Sequence, residues 1–148
     1  MGMAPPLSYA YGDGKTDVCR KLERYAHRFF AIAPLVIYAL TYFLAPAGVS
    51  CFANTASPVF PIAVSGMRIY GLGFLSSGIN IFAAVRMMAY RKGYFSGLIT
   101  FLRSFALLLL FLTVLPQKFG LTGVWLAVPA AEVLTLFVAV WFLRPMQR

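Results

Sequence analysis

Between Arg28 and Arg68 the chain carries no charged residue. Inside that gap Phe29–Phe52 (FFAIAPLVIYALTYFLAPAGVSCF) is a mostly apolar run of 24 residues. About 20 such residues, wound as a helix, cross the ~30 Å hydrocarbon core of a bilayer. In hydrocarbon every backbone N–H and C=O must be paired within the protein, and a helix does this inside one segment. The gap therefore specifies a membrane helix. Composition extends the conclusion to the whole chain. Its 148 residues are 61% hydrophobic and 11% charged, with mean hydropathy +0.80. A soluble domain is nearer 45–50% apolar and about 25% charged. Disorder is excluded, because it needs low hydrophobicity. Two cysteines are too few for a disulfide-stapled secreted scaffold.

Three more spans follow. Pro34 and Pro46 lie inside the first, where a kink is expected rather than a break. Asn54–Pro61 (NTASPVFP) is a turn signal. Seventeen uncharged residues then separate Arg68 from Arg86, enough for a span if residues before Arg68 extend it. Arg86–Tyr94 is a basic hinge, Phe95–Pro116 a third run broken only by Arg103, and Gln117–Gly120 a loop. Leu121–Leu143 carries one charge, Glu132. The expected fold is all-α and integral to the membrane, with four transmembrane helices near 29–52, 63–86, 94–116 and 121–143. Residues 1–28 are expected to be a basic cytoplasmic segment, the end of a preceding helix and a loop. MGMAPPLSYAYG is neither a signal peptide nor a myristoylation site, since Pro6 stands where Ser or Thr is required.

The formal charge of +9 could point to nucleic acid. In a membrane chain it points instead to loops beside an anionic leaflet. Lys15, Arg20, Lys21, Arg24 and Arg28 precede span one; Arg86, Arg91 and Lys92 join spans two and three; Arg144 and Arg148 form the tail. Only Arg68, near a helix start, and Lys118 fall on the other side. Ten against two places both termini in the cytoplasm. Cys19 and Cys51 then lie on opposite sides and are not expected to pair.

Three polar residues fall near the midplane. Arg103 is about 15 Å past Gly93, Glu132 about 18 Å past Gly120, and Asn80 about 18 Å past Arg68. A lipid-facing Arg or Glu at that depth costs at least a few kcal/mol, so these side chains should face protein or a cavity. Antiparallel neighbours could bring Arg103 and Glu132 together, as a register-fixing ion pair or as part of a substrate path. Asn80 is expected to hydrogen-bond between helices, and Gly71, Gly73, Ser77 and Gly78 to let helices approach closely. GDGKT (Gly12–Thr16) echoes a P-loop, but Tyr9 stands where its first glycine belongs and no strand precedes it. His27 reads as interfacial packing and Arg20–Arg28 as a juxtamembrane anchor. No metal-ligand cluster or catalytic arrangement stands out, and neither an enzyme nor a cofactor is expected.

Four segments resemble one transporter family. Pro6–Lys15 (PLSYAYGDGK) resembles the P-L-I-S-Y-N-Y-G-A-G-N signature that closes the eighth helix of MATE (multidrug and toxic compound extrusion) transporters. Gly73–Phe82 (GFLSSGINIF) resembles the Gly-Asn segment of their tenth helix, and Thr100–Arg103 (TFLR) the S-L-L-R of the eleventh. Leu115–Leu136 (LPQKFGLTGVWLAVPAAEVLTL) is similar to the L-P-x-x-F-G-L-x-G-V-W-L-A-x-P-x-A-E that joins the eleventh and twelfth. The resemblance implies four of the six helices of one MATE-type lobe, from the last third of a twelve-helix protein. It implies a sodium- or proton-coupled antiporter that exports drugs or organic cations across the plasma membrane. Its partners would be the lipid bilayer and the missing transporter helices, with no nucleic acid. Two departures stand beside it: Ile69–Val85 has no acidic residue where some branches carry one, and Tyr90–Gly93 is more charged than the usual A-L-G-K-G. The alternatives are a non-transporting remnant or helix scaffold, and a relative of the lipid-linked oligosaccharide flippases.

Overall fold

A computed structural model describes residues 4–90 and 92–143. Met1 and Gly2, and the basic residues Arg91, Arg144 and Arg148, lie outside the described residues. The elements are α1 (Ala4–Gly12), α2 (Thr16–Ser50), α3 (Val59–Gly71), α4 (Gly73–Ala89), α5 (Gly93–Phe101), a π-helical turn (Leu102–Ala106), α6 (Leu107–Phe119) and α7 (Leu121–Leu143). Four stretches are long and apolar enough to cross a membrane: Thr16–Ser50, Val59–Ala89, Gly93–Phe119 and Leu121–Trp141. The chain is an all-α membrane fold with four spans.

The helices run further than the apolar runs do. α2 begins at Thr16, so the start expected at residue 29 falls inside a helix. Its 35 residues extend about 52 Å, well beyond the ~30 Å core. Hydropathy marks where a helix leaves hydrocarbon, and the backbone continues because the basic segment favours helix too. α2 is unbroken across Pro34 and Pro46. The segment before it is α1 and a short turn, where Gly14 takes φ +69. That turn is the GDGKT stretch, and Lys15 Nζ bonds Asp13 Oδ2 at 2.9 Å.

The second span differs from the expected single helix at 63–86. It begins at Val59, so Pro61 occupies the first helical turn, where its missing N–H costs nothing. It is then divided at Leu72, between α3 and α4. Gly71 and Gly73 flank the break, and glycine is a poor helix former. Both glycines are also pressed against neighbours. A Cβ on Gly71 would meet Thr41 at 3.2 Å, and one on Gly73 would meet Val128 at 3.3 Å. The third span, expected at 94–116 and regular, runs Gly93–Phe119 with the π turn at its centre. The loop expected at Gln117–Gly120 shrinks to a single residue, Gly120, whose φ of +55 an L side chain rarely adopts. The last helix runs Leu121–Leu143, and its membrane-capable stretch ends at Trp141.

α4 is the hub, packing against α1, α2, α5 and α7. Small residues create its contacts. A Cβ on Gly78 would lie 2.6 Å from Pro34 Cγ, so the α2 proline ring occupies the place of a side chain. Gly66 in α3 lies under the Trp125 indole, and Gly123 lies against the Leu115 carbonyl across the α6–α7 turn. The last contact, with Gly120, gives the L-P-x-x-F-G-L-x-G spacing a physical reason: a tight reversal followed by close backbone approach. A core of Ala83, Met87, Ile99 and Ala139 joins α4, α5 and α7. A second, of Leu7, Ala10, Cys19 and Ala89, ties α1 and the start of α2 to the end of α4.

Candidate functional site

Asn80, Arg103 and Glu132 come from three different helical elements and meet in one cluster. Asn80 sits on α4, whose small residues allow α7 to approach. Its Nδ2 donates to the Glu132 backbone carbonyl and to Glu132 Oε2, each at 2.8 Å. Glu132 Oε1 accepts from Arg103 Nε at 2.9 Å. Asn80 is fully buried and Glu132 is 7% exposed. One turn further along α7, buried Thr135 bonds back to the Ala131 carbonyl, so its hydroxyl is satisfied within the helix.

The π turn carries Arg103. The Leu107 N–H bonds the Leu102 carbonyl five residues back instead of four. A π turn inserts one extra residue into the helix and re-aims the side chains around it. Here the re-aimed side chain is the arginine facing Glu132. Chemically, the cluster holds a carboxylate by one charged and one neutral donor. It also leaves Asn80 Oδ1 as a buried acceptor with no protein donor. Among the described residues no three His, Cys, Asp or Glu side chains gather as a metal site.

Counting from Gly93 and from Gly120 puts Arg103 and Glu132 at one level, and the structure pairs them; Asn80 joins them although its expected depth is counted from Arg68, which is not the start of its span. Arg68, expected near a helix start, lies about 13 Å inside its span, which begins nine residues earlier at Val59. Its Nε donates to the Tyr42 carbonyl at 3.2 Å, and the guanidinium lies 4.6 Å from the Tyr42 ring centre. Tyr42 is four residues before Pro46, which has no N–H to give it. The arginine therefore replaces the helical donor that the proline removed. The signal was readable, since a proline inside a membrane helix always frees the carbonyl four residues back.

A second Arg–Glu pair lies at the end of the bundle. Arg86 Nε and Tyr90 Oη both donate to Glu23 Oε1, the latter at 2.9 Å. The Tyr11 ring meets Tyr90 edge-on at 4.6 Å. Burial, then the bond to Glu23 and its charge, push the Tyr90 hydroxyl up to about 12. Charge patterning places Glu23 in a basic anchor, although it is the one acid within Arg20–Arg28. This pair places the N-terminal basic segment and the α4–α5 turn at the same end. His27 packs edge-on against Phe82 at 5.9 Å. Cys19 is buried, Cys51 is exposed, and both are free.

The fold has counterparts among solved structures. A multidrug resistance MATE family transporter of the MOP superfamily in its outward-facing conformation superposes with a TM-score of 0.85. The match covers 97% of this chain and 33% of that one, at 18% identity. An inward-facing conformation of such a transporter matches with a TM-score of 0.83, covering 97% and 34%, again at 18% identity. The chain has the fold of a MATE transporter segment. It spans about one third of the length of the transporters it matches. No family model matches the chain, and no curated protein does. The MATE-like fold and the four apolar helices make it a multi-pass membrane protein.

Proposed function

We propose that the chain is part of a split or truncated MATE-type efflux transporter of the plasma membrane, with both termini in the cytoplasm. The assembled protein would be a sodium- or proton-coupled antiporter that exports drugs or organic cations. Its partners would be the bilayer and the remaining transporter helices. The chemistry is translocation, not bond making. The observation that carries this reading is the fold match, which covers nearly all of this chain and one third of each transporter. The Asn80–Glu132–Arg103 cluster adds to it, because ionisable groups at midplane depth are costly and mark transport pathways by default. Alternating access in such proteins moves one helical repeat against another, so a third of the helices is not expected to complete the cycle.

The test is efflux. Expressed by itself in an efflux-deficient bacterial strain, the chain is expected to export neither ethidium nor norfloxacin. Measurable export by the chain alone would overturn the fragment reading. Where neighbouring coding sequence supplies the remaining helices, co-expression is expected to produce drug-dependent efflux. Membrane assembly of all the pieces without movement of either compound would overturn the transport reading.

A further inference from the structure

The first turns of α2 carry Arg20, Lys21, Arg24 and Arg28, all exposed. At about 100° per residue these four fall within one ~100° arc of the helix. Cys19, Glu23, Ala26 and Phe30 fall on another arc, and that one packs inward: Cys19 joins the α1–α4 core, Glu23 meets Arg86 and Tyr90, and Phe30 meets Phe82. Glu23 is therefore withdrawn from the basic face by Arg86 on α4 and Tyr90 just beyond its end. Asp17 shares the arc but lies one turn before Arg20, away from Arg24 and Arg28. Among the described residues, none of these four cations has an ion-pair partner.

The apolar surface of α2 continues directly from this basic face. Tyr25 and Phe29 flank it at 69% and 64% exposure, and Ile32 and Leu35 follow Arg28 along the helix at 62% and 60%. Arg24 and Arg28 are about 6 Å apart along the axis, a spacing that lets two guanidinium groups share one phosphate. A free anion would use only the arginines and would gain nothing from the apolar column below them.

We propose that this face of α2 is a binding site for an anionic phospholipid of the bilayer. Its phosphate sits between Arg24 and Arg28, with Arg20 and Lys21 adding charge, and its acyl chains lie along Phe29, Ile32 and Leu35. The site holds one end of α2 at the membrane surface. It is independent of any transport activity and requires that this face of α2 stays against lipid when the remaining helices assemble.

The test uses the full 148-residue chain, purified in mixed micelles of phosphatidylglycerol and phosphatidylcholine with identical acyl chains. Lipid retained after washing is counted by mass spectrometry. Phosphatidylglycerol is expected to be retained preferentially, with the preference falling as salt rises and roughly fivefold for each arginine removed. The Arg24→Gln/Arg28→Gln variant should lose it, Arg24→Lys/Arg28→Lys should keep most of it, and Lys118→Gln should leave it unchanged. Helicity by circular dichroism confirms that each variant is folded. Equal retention of the two lipids overturns the site. So does a preference that survives the double Gln variant, or one that falls equally with Lys118→Gln. Full displacement by inorganic phosphate at the lipid's concentration also overturns it, since that would make the site one for a free anion. Dimer formation through Leu35→Cys in a Cys51→Ser background would give the face to a second copy and overturn the proposal as well.

Discussion

The protein contains two Arg–Glu pairs of similar burial within the chain. In the pair at the bundle end, Arg86 and Glu23 have side chains 12% and 19% exposed; in the inner pair, Arg103 and Glu132 are 27% and 9% exposed. Judged by protein contacts alone the two are equivalent. They differ in medium. Glu23 lies in the part of α2 that precedes the apolar run, so loss of its partner leaves it water and headgroups. Arg103 and Glu132 lie near mid-span, where whatever is exposed meets hydrocarbon or another helix. Fractional exposure understates the second pair, because the missing neighbour is not water. A third element, Arg68 on the Tyr42 carbonyl, stands between the two, since it repairs a backbone defect rather than a charge.

The comparison can be broken most readily at Glu132. Replacing it by Ala leaves Arg103 unpaired at depth and removes both side-chain acceptors of its neighbours. The expected loss is about 3–5 kcal/mol, the range for a buried charge stripped of its partner. Arg103→Ala should cost a comparable amount. Both effects are read as reduced membrane insertion or a lowered unfolding midpoint in bilayers. A loss no larger than that of an interfacial pair would show that the inner cluster is solvated.

At Arg68 the expected effect is smaller. Arg68→Leu strands the Tyr42 carbonyl and should cost about 1–3 kcal/mol, the desolvation penalty of an unsatisfied group. In a Pro46→Ala background the helix regains an N–H for that carbonyl, and the Arg68→Leu loss should shrink. An unchanged loss would mean that Arg68 is held by the Tyr42 ring and not by the carbonyl.

The smallest effect is expected at the bundle end. Glu23→Gln should cost under about 1 kcal/mol, as for ion pairs with access to water. It should lower the Tyr90 pKa from about 12 toward 10, seen by ring-carbon NMR across alkaline pH. The sign follows from the shift. Tyr90 titrates higher in the folded chain than in the unfolded one, so the stability it contributes is fully present below pH 10. That contribution is lost as pH rises through about 12. A Tyr90 pKa that stays at about 12 in Glu23→Gln would assign the shift to burial alone.

Much of this was legible in the residues. The charge-free gaps locate four spans, and counting along the last two runs puts Arg103 and Glu132 at one depth; the same count for Asn80 starts from Arg68, which lies inside its span. Gly73 and Gly78 are marked for close packing by the sequence, and a Cβ on either would come within 3.3 Å of a neighbour. The failures share one cause. Charges do not mark helix boundaries: Arg68 lies inside its span, and the helix of α2 starts at Thr16, well before Phe29. Hydropathy measures transfer to hydrocarbon and says nothing of where a helix continues into water. Nor does it register a π turn or a break at Leu72, because both leave every residue in an apolar run. Those features depend on packing from α2 and α7 that no local window contains. Glu23 was missed for a related reason: its partner is 63 residues away.

The central claim is that the inner pair acts as one unit that hydrocarbon makes obligatory, while the outer pair does not. A pair of double-mutant cycles in the same bilayer tests this most directly. Arg103→Ala and Glu132→Ala form one cycle, Arg86→Ala and Glu23→Ala the other, both read as unfolding free energy. The inner double variant should lose far less than the sum of its single losses, because neutral partners leave no stranded charge. The outer cycle should be additive to within about 1 kcal/mol. Additive losses at Arg103 and Glu132 would contradict the account.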